Sequence, residues 1–278
     1  MFKHREDRLP VGFALGLTIL DFALYFGVQS PWWLAAYWLL MLVPKGTISA
    51  WSHHHQHVPT FRWPVLNRVL ELSHGLHCGL TSNTWLLHHV LGHHVNYLDQ
   101  TKDESRWRRA DGKPMGAIEY SVTVAATAYW RCFQVGRRFP KHQRVFLTYA
   151  ALTLAILAAL IVFKPVHALF LFVLPMIFSL LFTAWVTHDH HVGLDTQNHL
   201  EASVNTLNRR FNQLTGNLGF HTAHHYKQAM HWSKLPELHR QIAHQIPERL
   251  YRKPDFALVL GTAEVDVFAG HAAPQPAE

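Results

Sequence analysis

Two runs of the chain, residues 145–163 and 166–187, carry almost no polar side chains and are parted only by Lys164-Pro165. About 20 helical residues cross the ~30 Å hydrocarbon core of a bilayer, and a helix satisfies its own backbone hydrogen bonds there. The pair therefore reads as a transmembrane hairpin. Two earlier runs, 11–28 and 31–49, are long enough but less clean, with Asp21 in the first and Lys45 in the second. A central, unpaired charge in lipid costs about 2.5–3.5 kcal/mol. Lys45 is thus expected to bind a substrate carboxylate, to snorkel to the head groups, or to meet Asp21. No A-x-A-like cleavage site follows the first run, and a second apolar run begins at once, so residues 11–28 read as a retained span.

The expected fold is an all-α membrane protein with about four transmembrane helices and a cytoplasmic helical cap. Lysine and arginine set the orientation. The N-terminus, the loop 51–144 and the C-terminal region hold nearly all of them, whereas the two opposite turns hold only Lys164. Both termini are expected in the cytoplasm, with the protein in a bacterial inner membrane. The hydrophobic share of 49% against 15% charged residues agrees, because soluble proteins carry about 25% charged residues. The net charge of +7 flanks the spans and does not call for nucleic acid as a partner. Cys78 and Cys132 form no CxxC pair and cannot hold an iron–sulfur cluster. No repeat or linker divides the chain, so it reads as one domain, 1–264, with a disordered tail, 265–278.

Twenty-four histidines remain to be explained. Four clusters stand out: "HHHQH" at 53–57, "HHVLGHH" at 88–94, "HDHH" at 188–191 and "GFHTAHH" at 219–225. In a four-span topology all of them fall on the cytoplasmic side. Helical residues four apart share a face, so His53 and His57 converge, as do His89 and His93, and His221 and His225. Adjacent pairs such as His93-His94 and His224-His225 point roughly 100° apart, which suits two neighbouring metals. A structural zinc site wants about four ligands, often cysteines. A transporter would place its site near the bilayer midplane. Neither fits eight or more imidazoles at helix ends.

These residues resemble the membrane-bound fatty acid desaturase-like superfamily, with its HxxxH, HxxHH or HxxxHH, and HxxHH boxes at the cytoplasmic ends of four helices. His53 and His57 match the outer positions of the first box. His89, His93 and His94 match the second, and His221, His224 and His225 the third. The superfamily also uses one histidine after the fourth helix, for which His188 stands first and His190 or His191 next. The second box here has three intervening residues, which on an ideal α-helix turns His94 about 140° from His89. Gly92 offers a place to bend.

The resemblance implies two iron ions, dioxygen as co-substrate, and removal of hydrogen from a fatty acid or fatty acyl chain to introduce a double bond. The protein's part is binding, orientation and exclusion of water. Close alternatives are oxidative decarboxylation of a medium-chain free acid to a 1-alkene, to whose branch "GHH…YLDQTKDESRW" and "THDHHVGLD" look similar, and hydroxylation or ketolation of a lipid. A non-enzymatic metal-binding membrane protein is the reading from another class. With no haem signature and too few cysteines for a ferredoxin domain, electrons are expected from a separate donor such as a ferredoxin and its reductase. His54, His55 and His88 read as neighbours of the ligands or as exposed. Asn96, Asp99, Asp103, Asp189 and Asn217 are candidates to orient ligand rings. Trp32, Trp33, Tyr37 and Trp38 read as a membrane-interface group.

Overall fold

The computed structural model describes residues 1–253 and 261–267, in two compact units divided after Gly193. Among the described residues the only β-structure is a few isolated bridges. The first unit opens with α1 (Arg8–Gly27), α2 (Pro31–Leu40), α3 (Leu42–His57) and α4 (Pro64–Cys78). A π-helical segment, Leu86–His93, precedes α5 (Ala117–Gly136) and α6 (Pro140–Phe163). The last span then runs through α7 (Pro165–Ala168), a π-turn at Leu169–Val173, and α8 (Leu174–His191).

Among the described residues three helical stretches are long and apolar enough to cross a membrane: Arg5–Gly27, Pro140–Phe163 and Pro165–His191. The protein is an integral membrane protein. The expected span 31–49 is interrupted at Met41, and Pro44 supplies the cause. Proline has no N–H to offer the carbonyl four residues back, and its ring clashes with that carbonyl. Residue 40 is where α2 ends. Pro44 then occupies the first turn of α3, where a missing N–H costs nothing.

One end of the unit is tied by polar contacts to the α1 terminus. Lys164 donates to the Tyr25 and Phe26 carbonyls at 3.0 and 3.3 Å, where a cation offsets the partial negative charge of a helix C-terminus. His167 donates to the Val28 carbonyl at 2.7 Å, and the Tyr25 hydroxyl to that of Leu160, also at 2.7 Å. Beneath them Tyr25, Leu34, Leu76, Leu160, Leu171, Phe172 and Met176 form an apolar core. Leu9, Ile19, Phe26, Trp32, Trp33 and Val162 face outward, as lipid-facing side chains must.

The second unit packs Val204, Phe220, Ala223, Leu235, Leu238, Ile242, Leu250 and Val267 around α9 (Arg209–Thr215), α10 (His221–Tyr226) and α11 (Leu235–Ile242). Within segment 265–278, the Val265 N–H donates to the Leu207 carbonyl at 2.7 Å, and residues 268–278 lie outside the described residues.

Candidate metal centre

The first box closes α3, whose last turn carries His54, His55 and His57. Spacing of four stacks His53 beside His57, with ring centroids 4.6 Å apart. His89 enters from the π-helical segment, 4.5 Å from His53 and 5.3 Å from His57. His94 completes the group, 4.8 Å from His57 and 4.5 Å from His89. One ring nitrogen from each of His53, His57, His89 and His94 lies within 4.8 Å of all the others.

The extra residue of the second box is absorbed by the π-helix. The His94 N–H reaches the His89 carbonyl, five residues back, at 2.8 Å. One added residue per turn swings His94 round until its Nε2 lies 2.9 Å from that of His89. On an α-helix the two would diverge. Gly92 permits the wide turn, because a Cβ there would sit 2.6 Å from Glu104 Cγ and 3.1 Å from the Leu87 carbonyl. Asn96 donates to the Gly92 carbonyl at 2.8 Å and so caps the segment.

His93 faces a second position. Its ring lies 4.8 Å from that of His191, at the end of α8. Its Nδ1–H donates to Asp103 at 2.8 Å, which fixes the tautomer with the lone pair on Nε2. Asp103 is therefore the carboxylate that orients a box histidine. Asp99 is not: it is exposed and binds Thr101 and Lys102. Asp189 is half-buried beside His188 and His190 in the chain. Of the three histidines after the fourth expected span, His191 meets a box residue. His188 instead donates from Nε2 to the Met115 carbonyl at 2.9 Å and packs against Tyr120, while His190 is buried.

The third box occupies α10 in the second unit. Thr222, between His221 and His224, is locked by Asn205, whose Oδ1 accepts the Thr222 N–H at 3.0 Å and whose amide donates to the Thr222 hydroxyl at 2.8 Å. His221 and His225 lie one turn apart with their Nε2 atoms 3.2 Å from each other, and His224 lies 5.6 Å from each ring. Asn217 takes a left-handed conformation (φ 64°) and donates to the Trp232 carbonyl at 3.2 Å, so it shapes the turn before the box.

Two of the extra histidines, His54 and His55, have other partners. His54 stacks on His53, with centroids 5.2 Å apart. His55 bonds Thr60 at 2.9 Å and Glu71 at 3.2 Å, and Arg68 pairs with the same carboxylate. Burial alone would raise the Glu71 pKa, but His55 and Arg68 hold it below the usual carboxylate range. His88 is buried, and desolvation, helped by the Arg131 charge, lowers its pKa to about 3. Lys45 meets Asp21 at 2.7 Å and donates to the Leu171 carbonyl at 2.7 Å, the pairing among the three expectations.

Two features went unread in the sequence. Trp85, four residues before His89, packs within 4.9 Å of His53 and 5.1 Å of His89. Glu71, His74 and His77 recur every three residues along α4 and are buried, a polar stripe where an amphipathic helix would bury apolar groups.

The donor set suits a metal. Two nitrogens bound at about 2.1 Å and about 90–110° apart lie roughly 3.0–3.4 Å from each other. The contacts of 2.9 and 3.2 Å within the second and third boxes have about that spacing. The fatty acid desaturase family model matches residues 30–255. The chain belongs to the fatty acid desaturase family. No curated protein and no solved structure matches it. The matched region of this desaturase-family chain contains every histidine placed above, from His53 to His225.

Proposed function

We propose that the chain is an oxygen-dependent oxidoreductase that introduces a double bond into a fatty acid or fatty acyl chain. The reading is carried by the convergence of His53, His57, His89 and His94 beside the His93–His191 pair, in a chain of this family. Two iron ions would be held by His53, His57, His89, His93, His94 and His191, with His221, His224 and His225 as the third box's share. His191 takes the place that the motif order offered to His188, because the His191 ring lies against that of His93. Bound iron supplies the oxidising power needed to break an unactivated C–H bond, which no side chain has. The chain's own residues hold the imidazoles in place, with Asp103 orienting His93, and keep water away behind buried walls.

The balance is –CH2–CH2– + O2 + 2 e⁻ + 2 H⁺ → –CH=CH– + 2 H2O, with electrons from a separate ferredoxin-type donor. The boxes face the cytoplasm in this reading, on the side rich in lysine and arginine. Protein purified in detergent should contain two irons per chain and consume oxygen when given a fatty substrate, ferredoxin, its reductase and a reduced nicotinamide. Mass analysis should find a product of unchanged carbon count with two fewer hydrogens. His57→Ala, His93→Ala or His225→Ala should abolish turnover while the protein stays in the membrane. One zinc and no iron, or bound metal without oxygen uptake, would overturn the reading in favour of a metal-binding protein. A product one carbon shorter would assign decarboxylation to an alkene instead.

A further inference from the structure

Beside the histidines of the first unit lies a cavity of about 40 Å³. Its walls are Leu80, Val124, Ala125, Ala128, Leu180 and Ala184, with Trp85 and His88 at one side. A space of that size, a few times the ~10–15 Å³ one water needs, admits a group of a few heavy atoms and not a whole acyl chain. Trp85 is the partition: its ring touches the cavity and also lies against His53 and His89.

Beside Ser105, two sets of polar groups stand in this wall. The threonine hydroxyls are engaged: Thr84 with Thr81, Thr183 with Ser49, and Thr187 with the Thr183 carbonyl. Trp85 Nε1 and His88 Nε2 have no hydrogen-bond partner, although both residues are more than nine-tenths buried. A buried polar atom without a partner is costly, and two of them on residues lining one apolar cavity call for a hydrogen-bonding group from outside the chain. Lys45, the cation the sequence offered to a carboxylate, is bound to Asp21 and Leu171.

We propose that this cavity receives the carboxyl end of the fatty substrate, with Trp85 Nε1–H and His88 Nε2–H donating to its oxygens. A methyl end would leave both donors unpaired. The assignment rests on the reading that the substrate is fatty, and it adds a regiochemistry. With the carboxyl group one ring away from His53 and His89, the carbons nearest those histidines are the ones next to the carboxyl. Oxidation then falls near that end of the chain and not at its middle.

The test is equilibrium dialysis of the iron-loaded, detergent-solubilised protein without oxygen, using tritiated dodecanoic acid and tritiated dodecane. Trp85→Phe keeps the ring and removes the donor, and should weaken the acid about tenfold while leaving the hydrocarbon unchanged. Ala128→Leu fills the cavity from α5, which carries no histidine box, and should weaken both ligands. It keeps the test open if Trp85→Phe disturbs His53 or His89. A dodecanoyl thioester that fails to compete assigns the cavity to the free acid, and one that competes equally assigns it to a carbonyl oxygen of either source. Equal weakening of acid and hydrocarbon by Trp85→Phe, no effect of Ala128→Leu, or a mid-chain product would overturn the proposal. If the wild-type protein oxidises no fatty substrate at all, the functional reading fails. If it turns over while the acid binds Trp85→Phe unchanged, only the carboxyl assignment fails.

Discussion

His93 and its carboxylate partner show how much one buried hydrogen bond decides at a histidine. An imidazole has two nitrogens and, when neutral, one proton, so the group that accepts a hydrogen bond from one N–H determines which nitrogen can face a metal. Asp103, buried 2.8 Å from His93 Nδ1, is that acceptor. Such partners typically govern metal affinity by a factor of about 10–100. Asp103→Ala should therefore lower iron occupancy after dialysis against a chelator, by roughly that factor in apparent affinity. Asp99→Ala should leave it at the wild-type level, since Asp99 is exposed and pairs with Lys102. Equal iron retention in both variants would remove Asp103 from the site. The two aspartates were equivalent in the sequence, four residues apart in one polar stretch. What separates them is the loop between the π-helical segment and α5, which buries one and leaves the other in solvent. The first-box pair, by contrast, was legible from spacing alone, because i and i+4 share a face of an α-helix; His89 and His93, also four apart, were expected to converge but join separate groups on the π-helical turn.

At the scale of the element, the π-helical segment turns a register problem into a binding geometry. Three intervening residues would send His94 away from His89 on an α-helix, and the sequence showed that conflict together with the glycine that relieves it. It did not show the solution, because an i to i+5 hydrogen bond is rare and depends on what packs against the wider turn. Here Glu104 fills the space over Gly92. Gly92→Ala puts a methyl group against Glu104 Cβ and Cγ and the Leu87 carbonyl, and such overpacking costs about 1–3 kcal/mol. The expected result is a lowered melting temperature together with lost iron. A loss of stability with full iron content would separate the glycine from the geometry of the second box. The break in the second expected span follows from equally local chemistry. Pro44 is four residues beyond Leu40, and the span ends there because the proline rejects that carbonyl. The apolar run hid this, since hydropathy does not see a missing N–H.

Across the whole first unit, the polar groups that interrupt the apolar spans are gathered at one buried point. Asp21 of α1 accepts from Lys45 of α3 at 2.7 Å and from the Tyr37 hydroxyl of α2 at 2.8 Å, and His77 of α4 lies 3.3 Å from the same carboxylate. Four helices thus share one carboxylate, and a charge that would expel any one of them from lipid instead holds them in register. The sequence exposed both charges and offered their pairing, but the contributions of Tyr37 and His77 depend on how α2 and α4 pack. Removing one member of a buried ion pair commonly costs about 3–5 kcal/mol, whereas replacing both by apolar groups is often nearly neutral. Asp21→Leu leaves the Lys45 ammonium buried with the Leu171 carbonyl and should lower the melting temperature in detergent by roughly 10 °C. Lys45→Met should cost less, because Tyr37 and His77 still face the remaining carboxylate. The double variant Asp21→Leu/Lys45→Met should recover part of the loss and not all of it, since Tyr37 then loses its acceptor and His77 its neighbouring carboxylate. Thermal unfolding followed by size-exclusion retention measures all three. If the double variant is as unstable as the two single losses added together, the pair does not act as a unit, and the register of these helices is set by their apolar packing alone.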